Sequence, residues 1–399
     1  MLSRFSALDG LLRHTQPLWQ VQPFHHLRLP WWQTHPALCE ALAALALPDL
    51  QALEQDEAAR AALLWPLVPE ASELAALCHL PRLPSTLPPP APAHVPGRKW
   101  SQIWAFAQQL GLAAGRGPGH LLEWCAGKGH LGRLLARQGH SVVSLEWDAE
   151  LCLAARQLST GLPQQAVQQD VMAAEATGWL AGARQAVALH ACGDLHRHLI
   201  RQGAAQQVAS LSLAPCCYHK HAHEHYQPLS QAAQASGLPL NRRLLQLPLQ
   251  ETVTAGARVR RLRWQELSWR LTFDALQRDL RGENSYLPLP SIAKGLLVGD
   301  LTAFIDWAAQ TKGLILPAPL DLAPYQQQAQ ERLAQVLRME LVLGLFRRPV
   351  ELWLVLDYAL YLEEQGYVVS LGEFCERPLT PRNLLLQAHR RADSEAGGR

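Results

Sequence analysis

The run LLEWCAGKGHLG, Leu121 to Gly132, constrains this chain more than any other stretch. It opens apolar, as a buried strand does, and carries an acid, Glu123, near its end. Gly127 and Gly129 follow, and then Leu131, Leu134 and Leu135 fall at helical spacing. Strand, tight glycine turn and helix is a standard scaffold for a nucleotide-like ligand. Glycine lets backbone approach the ligand closely, and the helix N-terminus offers unpaired N–H groups.

Two ligand classes fit the loop. Gly127, Gly129 and Gly132 spell G-x-G-x-x-G, and Glu146 stands nineteen residues after Gly127, where a dinucleotide fold places its ribose-binding acid. The same residues read as E-x-C-x-G-x-G resemble the first motif of class I methyltransferases, which bind S-adenosylmethionine (SAM). Charge favours the second reading. A carboxylate at Glu123 suits a cationic amino-acid group, whereas beside a pyrophosphate it would be repulsive.

The rhythm downstream is α/β. SVVSLE (141–146), QQAVQQDV (164–171), AVALHACGD (186–194) and VASLSLAPCCYH (208–219) read as further strands separated by single helices, hence a parallel sheet with right-handed crossovers. Ligands then bind at the carboxyl ends of the strands, so Glu123, Glu146, Asp170, His190 and Cys216 should gather along one edge. YVVSLGEFC (367–375) and NLLLQAHR (383–390), joined by a turn, suit the reversed hairpin that closes class I methyltransferase sheets. ELWLVLDYALYLEEQ (351–365) reads as an amphipathic helix before them. The expected fold is a Rossmann-like α/β sheet with that hairpin. A helical N-terminal region at 1–80, a proline-rich linker at 81–97 and a helical insertion at about 250–340 complete the organisation.

Composition adds exclusions. With 36 Lys and Arg against 34 Asp and Glu the net charge is +2, so nucleic-acid binding would need a local patch. The eight cysteines form no regular framework, and no apolar run reaches membrane-spanning length. A cytoplasmic protein without a membrane partner is the expectation.

Cofactor contacts are expected from Glu123, Cys125, Gly127, Gly129, His130 and Leu131 of the loop. Glu146 is placed on both ribose hydroxyls, Trp147 on the adenine face, and Asp170 with Val171 at the adenine edge. His190, Asp194, Cys216 and His219 are the candidate catalytic groups, because the end of the fourth strand faces the transferred methyl and histidine titrates near neutrality. The run APCCYHKHAHEHY (214–226) is rich in cysteine and histidine, but no second CxxC-type half is present, so no metal is assigned. Cys216 and Tyr218 are read as a wall of the substrate pocket. Arg258, Arg260, Arg261, Arg263 and Arg270, with Trp264 and Trp269, form the best basic and aromatic segment for RNA, helped by Arg98, Lys99, Arg242 and Arg243.

Four motifs in order, CAGKGHLG, LHACGDL, APCCYH and LTPRN, resemble the "methyltransferase domain 32" group, which includes the methyltransferase-like 25 proteins. More distantly they are similar to the tRNA position-4 2′-O-methyltransferases. Those carry zinc-binding Cys/His modules that are not found here. Pro215–Cys216 is similar to the attacking pair of RNA cytosine-C5 methyltransferases, but it follows the fifth strand and theirs follows the fourth. The resemblance implies SAM-dependent methyl transfer, with RNA as the acceptor class.

Overall fold

The structure, a computed structural model, describes residues 1–112, 119–250, 256–293 and 295–391. Seven strands form one sheet: β1 His120–Trp124, β2 Val142–Glu146, β3 Gln164–Gln168, β4 Ala183–Cys192, β5 Ser210–Cys216, β6 Tyr367–Glu373 and β7 Leu384–Arg390. Their order is β3-β2-β1-β4-β5-β7-β6. β1 to β5 are parallel, while β7 pairs antiparallel with both β5 and β6. This is the expected class I methyltransferase sheet with its reversed hairpin. The direction of winding switches between β1 and β4, so the cleft opens at their carboxyl ends.

The sheet forms because its central strands, β1, β2, β4 and β5, are mostly buried on both faces, while the edge strands β3 and β6 are partly exposed. One face carries the helices Gly97–Gln108 and His130–Arg137, which pack Trp100, Ile103, Phe106, Leu131 and Leu135 against strand residues such as Val187. Each large side chain buried there contributes about 1.5–3 kcal/mol. The helix Arg347–Glu364 departs from the amphipathic expectation, since residues 350–360 are buried without a break. Glu351 and Asp357 are therefore internal, while Glu363 and Glu364 at its end are exposed. Glu351 pairs with Arg348 at 2.7 Å and accepts from Tyr218 at 3.2 Å. Asp357, with no exposed surface, accepts from Tyr226 Oη at 2.6 Å, Ser230 N at 2.7 Å, Ser230 Oγ at 2.8 Å and Leu229 N at 2.9 Å.

Domain boundaries differ from the sequence expectation. One compact unit comprises Met1–Arg13, Ala76–Thr254 and Arg348–Arg399, and the other His14–Ala75 and Ala255–Arg347. The N-terminal helices after residue 13 thus share a unit with the helical insertion. There Leu47–Gln55 packs on Ala323–Gly344, which packs on Ala257–Arg281. Leu47–Gln55, at nine residues, is too short to be stable alone and needs a partner distant in sequence. Part of the expected insertion, 251–255, lies outside the described residues.

The proline-rich segment is a strap more than a linker. Leu83 N donates to Glu373 O at 2.9 Å, and Glu373 N donates to Pro81 O at 2.9 Å. Trp100 Nε1 donates to Pro89 O at 2.8 Å, and Gln109 Nε2 to Pro84 O at 2.7 Å. Proline removes donors from the segment, but its carbonyls still accept. Among the described residues no single helix is long and apolar enough to cross a membrane.

Asp357→Ala leaves several buried donors without an acceptor, so it should lower the unfolding free energy by about 3 kcal/mol or more. Urea denaturation checks this. A variant within about 0.5 kcal/mol of the wild type would show that Asp357 is not a brace.

Candidate active site

β1 ends at Trp124, and the chain turns through positive φ at Cys125 (57°), Gly127 (58°) and Gly129 (63°) before the helix His130–Arg137 begins. Two strand-end acids hold this turn. Glu123 is buried and its Oε2 accepts from Ser144 Oγ at 2.7 Å and Gly132 N at 3.1 Å. Gln164 Nε2 completes the knot, reaching Ser144 Oγ at 2.9 Å and Gly129 O at 3.0 Å. A methyl group on Gly132 would come within 2.6 Å of Glu123, Ser144 and Gln164, which is why glycine stands there. Ser144 and Gln164 were not expected as functional residues. The one sequence signal for Ser144 is a hydroxyl interrupting the apolar strand VVSLE.

Glu146 closes the other side. Its Oε2 accepts from Gly127 N at 2.8 Å, and its Oε1 from Trp147 N at 3.1 Å and Asp148 N at 3.2 Å. A carboxylate has about four acceptor sites, so three are filled. Accepting from two ribose hydroxyls at once would require giving up a backbone donor. Trp147 beside it is 74 % exposed. Asp170 is exposed and caps Met172 N at 2.9 Å, and Val171 is buried below it. Exposed Trp147 and Met172 therefore form apolar faces at the ends of β2 and β3, next to two acids.

Other loop residues play different parts. The Leu131 side chain is in the core, so only its backbone can meet a ligand. His130 lies beside Arg133, 3.3 Å away, and burial followed by the charge of Arg133 lowers its pKa to about 4. Burial likewise raises the Cys125 thiol well above the ordinary cysteine range. Lys99, on the first turn of Gly97–Gln108, has its pKa lowered by burial and raised in part by the charges of Glu123 and Cys216. It belongs with the site more than with an outer basic patch.

At the ends of β4 and β5 the backbone is unusual again. The register shifts between Leu189 and Cys192, and His190 has φ 68°. Cys217 has φ 49°. Left-handed conformations of non-glycine residues cost free energy and cluster at functional sites, and here Cys125, His190 and Cys217 mark three neighbouring strand ends. Gly193 locks the two turns together: its N donates to Cys216 O at 3.1 Å, and a Cβ there would lie 1.8 Å from Lys220 O.

His190 is half-buried, with Nε2 3.3 Å from Gln102 Oε1. Burial lowers its pKa to about 4, with help from Lys99 and Arg382, so the imidazole is neutral at pH 7. Asp194 is engaged on both oxygens, by Arg197 at 3.1 Å and Ala222 N at 2.8 Å. That makes it a positioning group for the loop after β5. Cys216 is buried, and its Sγ lies 3.7 Å from that of Cys192. Hydrogen bonds from Cys192 and Cys216 hold the Cys217 thiol below the ordinary range, while those with Cys192 and Cys217 push Cys216 up. The His219 ring is half-buried, with Nδ1 buried and unpartnered. Tyr218 does not line a pocket, because it is 2 % exposed and bonded to Glu351.

The expected RNA segment divides. Arg263 is held by Glu54 and, at 2.8 Å, by Glu340, and Arg270 by Glu266 at 2.8 Å and Pro290 O at 2.8 Å. Trp269 packs on Phe304 in the core of the helical unit, and Trp264 is half-buried. Arg260 is half-buried with a partner of its own. Only Arg258 and Arg261 of that set are exposed. Arg242 is spent on His221, Ala222 and His223 carbonyls, and Arg98 on Leu379 O. Arg243 is also partnered.

Residues 98–224 match the family model described as a methyltransferase domain. A solved structure, the crystal structure of the glycopeptide N-methyltransferase MtfA, is 19 % identical, covering 40 % of this chain and 67 % of that one, with a TM-score of 0.23. The chain carries a methyltransferase domain, and a domain of this class implies SAM as the methyl donor.

Burial raises the Glu123 carboxyl from an ordinary 4.5 to about 7, against the opposing bonds from Ser144 and Gly132. The native state therefore keeps a proton that the unfolded chain loses. The contribution of Glu123 is fully present below pH 4.5 and falls as pH rises to about 7. Glu123→Gln cannot titrate, so the wild-type-minus-variant difference in unfolding free energy should decline across that window. A difference flat from pH 4.5 to 7.5 would contradict the placement of Glu123.

Proposed function

We propose that this chain transfers a methyl group from SAM to RNA. The observation that carries the cofactor assignment is the glycine turn at the β1–β4 switch point, held open by Glu123 and Glu146. A Cβ on Gly127 would meet no atom within 4 Å, so the turn has room where a ligand would lie against its backbone. Gly127 to Leu131 would face the cofactor with their backbone, Glu123 and Lys99 lie near its amino-acid end, and Glu146, Trp147 and Asp170 suit ribose and adenine. Bound there, SAM supplies an electrophilic methyl on a sulfonium.

What the chain contributes is position and a proton acceptor. His190, at the register shift near the end of β4, offers a neutral imidazole whose Nε2 meets Gln102 and which can accept from a hydroxyl or amine nucleophile through its other nitrogen. A pKa near 4 makes it a weak base, so orientation carries much of the rate. Asp194 and Gly193 fix the turn that sets this geometry. RNA as acceptor is supported by exposed cations, Lys128 and Lys220 on loops at the carboxyl edge and Arg258 and Arg261 on the helix Ala257–Arg281. The resemblance to RNA-modifying enzymes points the same way.

Gly127→Ala should weaken SAM binding at least about tenfold, ~1.4 kcal/mol, in equilibrium dialysis with labelled SAM. Its cost to stability should stay near ~1 kcal/mol, the strain of a left-handed alanine. His190→Ala should keep SAM affinity and lose turnover by roughly a hundredfold. Unchanged SAM affinity in the first variant sinks the cofactor site, and wild-type turnover in the second moves the chemistry elsewhere.

For the acceptor, the protein should bind RNA with an affinity that falls steeply with salt. Lys220→Ala, and separately Arg258→Ala with Arg261→Ala, should each flatten the log–log slope by roughly 0.7 per cation removed from a single-strand contact. RNA binding absent at low salt, with labelled methyl found only in protein or metabolite fractions, would overturn the RNA assignment and leave the methyltransferase assignment standing.

A further inference from the structure

Three sulfurs converge where β4 and β5 end. Cys192 and Cys216 are register partners on adjacent parallel strands, and Cys217 follows directly. The three Sγ atoms lie within 4.8 Å of one another, and Cys192 and Cys216 stand 3.7 Å apart. Neighbouring residues in a strand point to opposite faces. Cys216 and Cys217 escape that rule because Cys217 takes the left-handed conformation, which turns its side chain back toward the others. The geometry points to a metal site in which the thiolates of Cys192, Cys216 and Cys217 hold one zinc ion.

Sulfur spacing supports it. A tetrahedral site with Zn–S bonds of about 2.3 Å has sulfur–sulfur edges of ~3.8 Å, which the Cys192–Cys216 pair already matches. Three thiols are a soft donor set, suited to zinc over magnesium or calcium. The three thiolates leave a fourth position to be filled by water or by a shift of His219, whose Nδ1 is buried without a hydrogen-bond partner but lies outside the three-sulfur cluster. Sequence spacing hides the site, because Cys192 is brought to the Cys216–Cys217 pair by strand pairing and not by a CxxC motif. All eight cysteines are free thiols, so no disulfide competes. Loading would release the thiol protons to solvent and pin the ends of β4 and β5, including the turn that carries His190. None of this rests on the methyltransferase assignment, since no cofactor-loop residue takes part.

Full-length protein purified under reducing conditions without chelator should contain one zinc per chain by inductively coupled plasma mass spectrometry. Metal-stripped protein should take up one Zn²⁺, and three thiols should become protected from a thiol reagent as it does. Cys192→Ser and Cys217→Ser should each weaken Zn²⁺ binding at least tenfold while SAM affinity stays within threefold. Should a variant fail to fold, cobalt replacement in the wild type decides. A thiolate-to-cobalt charge-transfer band supports the site, and tight binding without that band places the metal on histidines and overturns it. Protein that neither contains nor takes up zinc, or that keeps full affinity in both variants, also overturns it, as does metal-free protein isolated with Cys192 and Cys216 oxidised to a disulfide.

Discussion

Everything at the site depends on one buried hydrogen-bond knot. Glu123 Oε2 ties Ser144 on β2 to Gly132 on the loop helix, and Gln164 on β3 joins Ser144 to the Gly129 carbonyl. Three strands and a glycine turn meet through four hydrogen bonds. The knot exists because Gly132 has no side chain to push them apart. Its cost is a carboxyl so buried that its pKa rises toward neutrality. A half-satisfied version would be worse than an apolar core, so removing Ser144 Oγ or adding a side chain at Gly132 should destabilise the loop.

The second constraint is the locked pair of turns after β4 and β5. Gly193 against Lys220, and Asp194 against Ala222, leave one arrangement for His190 and the thiols. Backbone strain at His190 and Cys217 is held by this packing. In the proposed reaction the loop knot would position the cofactor and the turn pair the chemistry beside it. Both sit at the carboxyl edge, where a parallel sheet with this strand order leaves its cleft.

Strand positions were legible in the sequence because apolar runs bounded by glycine and acids leave little choice. All seven expected strands are present, and the reversed hairpin at Tyr367–Arg390 followed from two apolar runs flanking a proline turn. Less legible was whatever depends on contacts distant in sequence. The pairing of Cys192 with Cys216, the engagement of Arg263 by Glu54 and Glu340, and the burial of the helix Arg347–Glu364 are decided by tertiary packing. Arginines and tryptophans between 258 and 270 suggested a nucleic-acid face, yet Arg263, Arg270 and Trp269 hold the helical unit together. Among the acids, Glu146 fills three acceptor positions with backbone donors of the loop, whereas Glu123 uses only its Oε2.

The braced glycine turn is assigned to SAM. Calorimetric titration of the full-length protein with SAM, S-adenosylhomocysteine, NAD and NADP tests it most directly. One saturable site for SAM and for S-adenosylhomocysteine, and no heat from either dinucleotide, is the expected result. Saturable binding of NAD or NADP, with none of SAM, would contradict it and return the loop to its G-x-G-x-x-G reading.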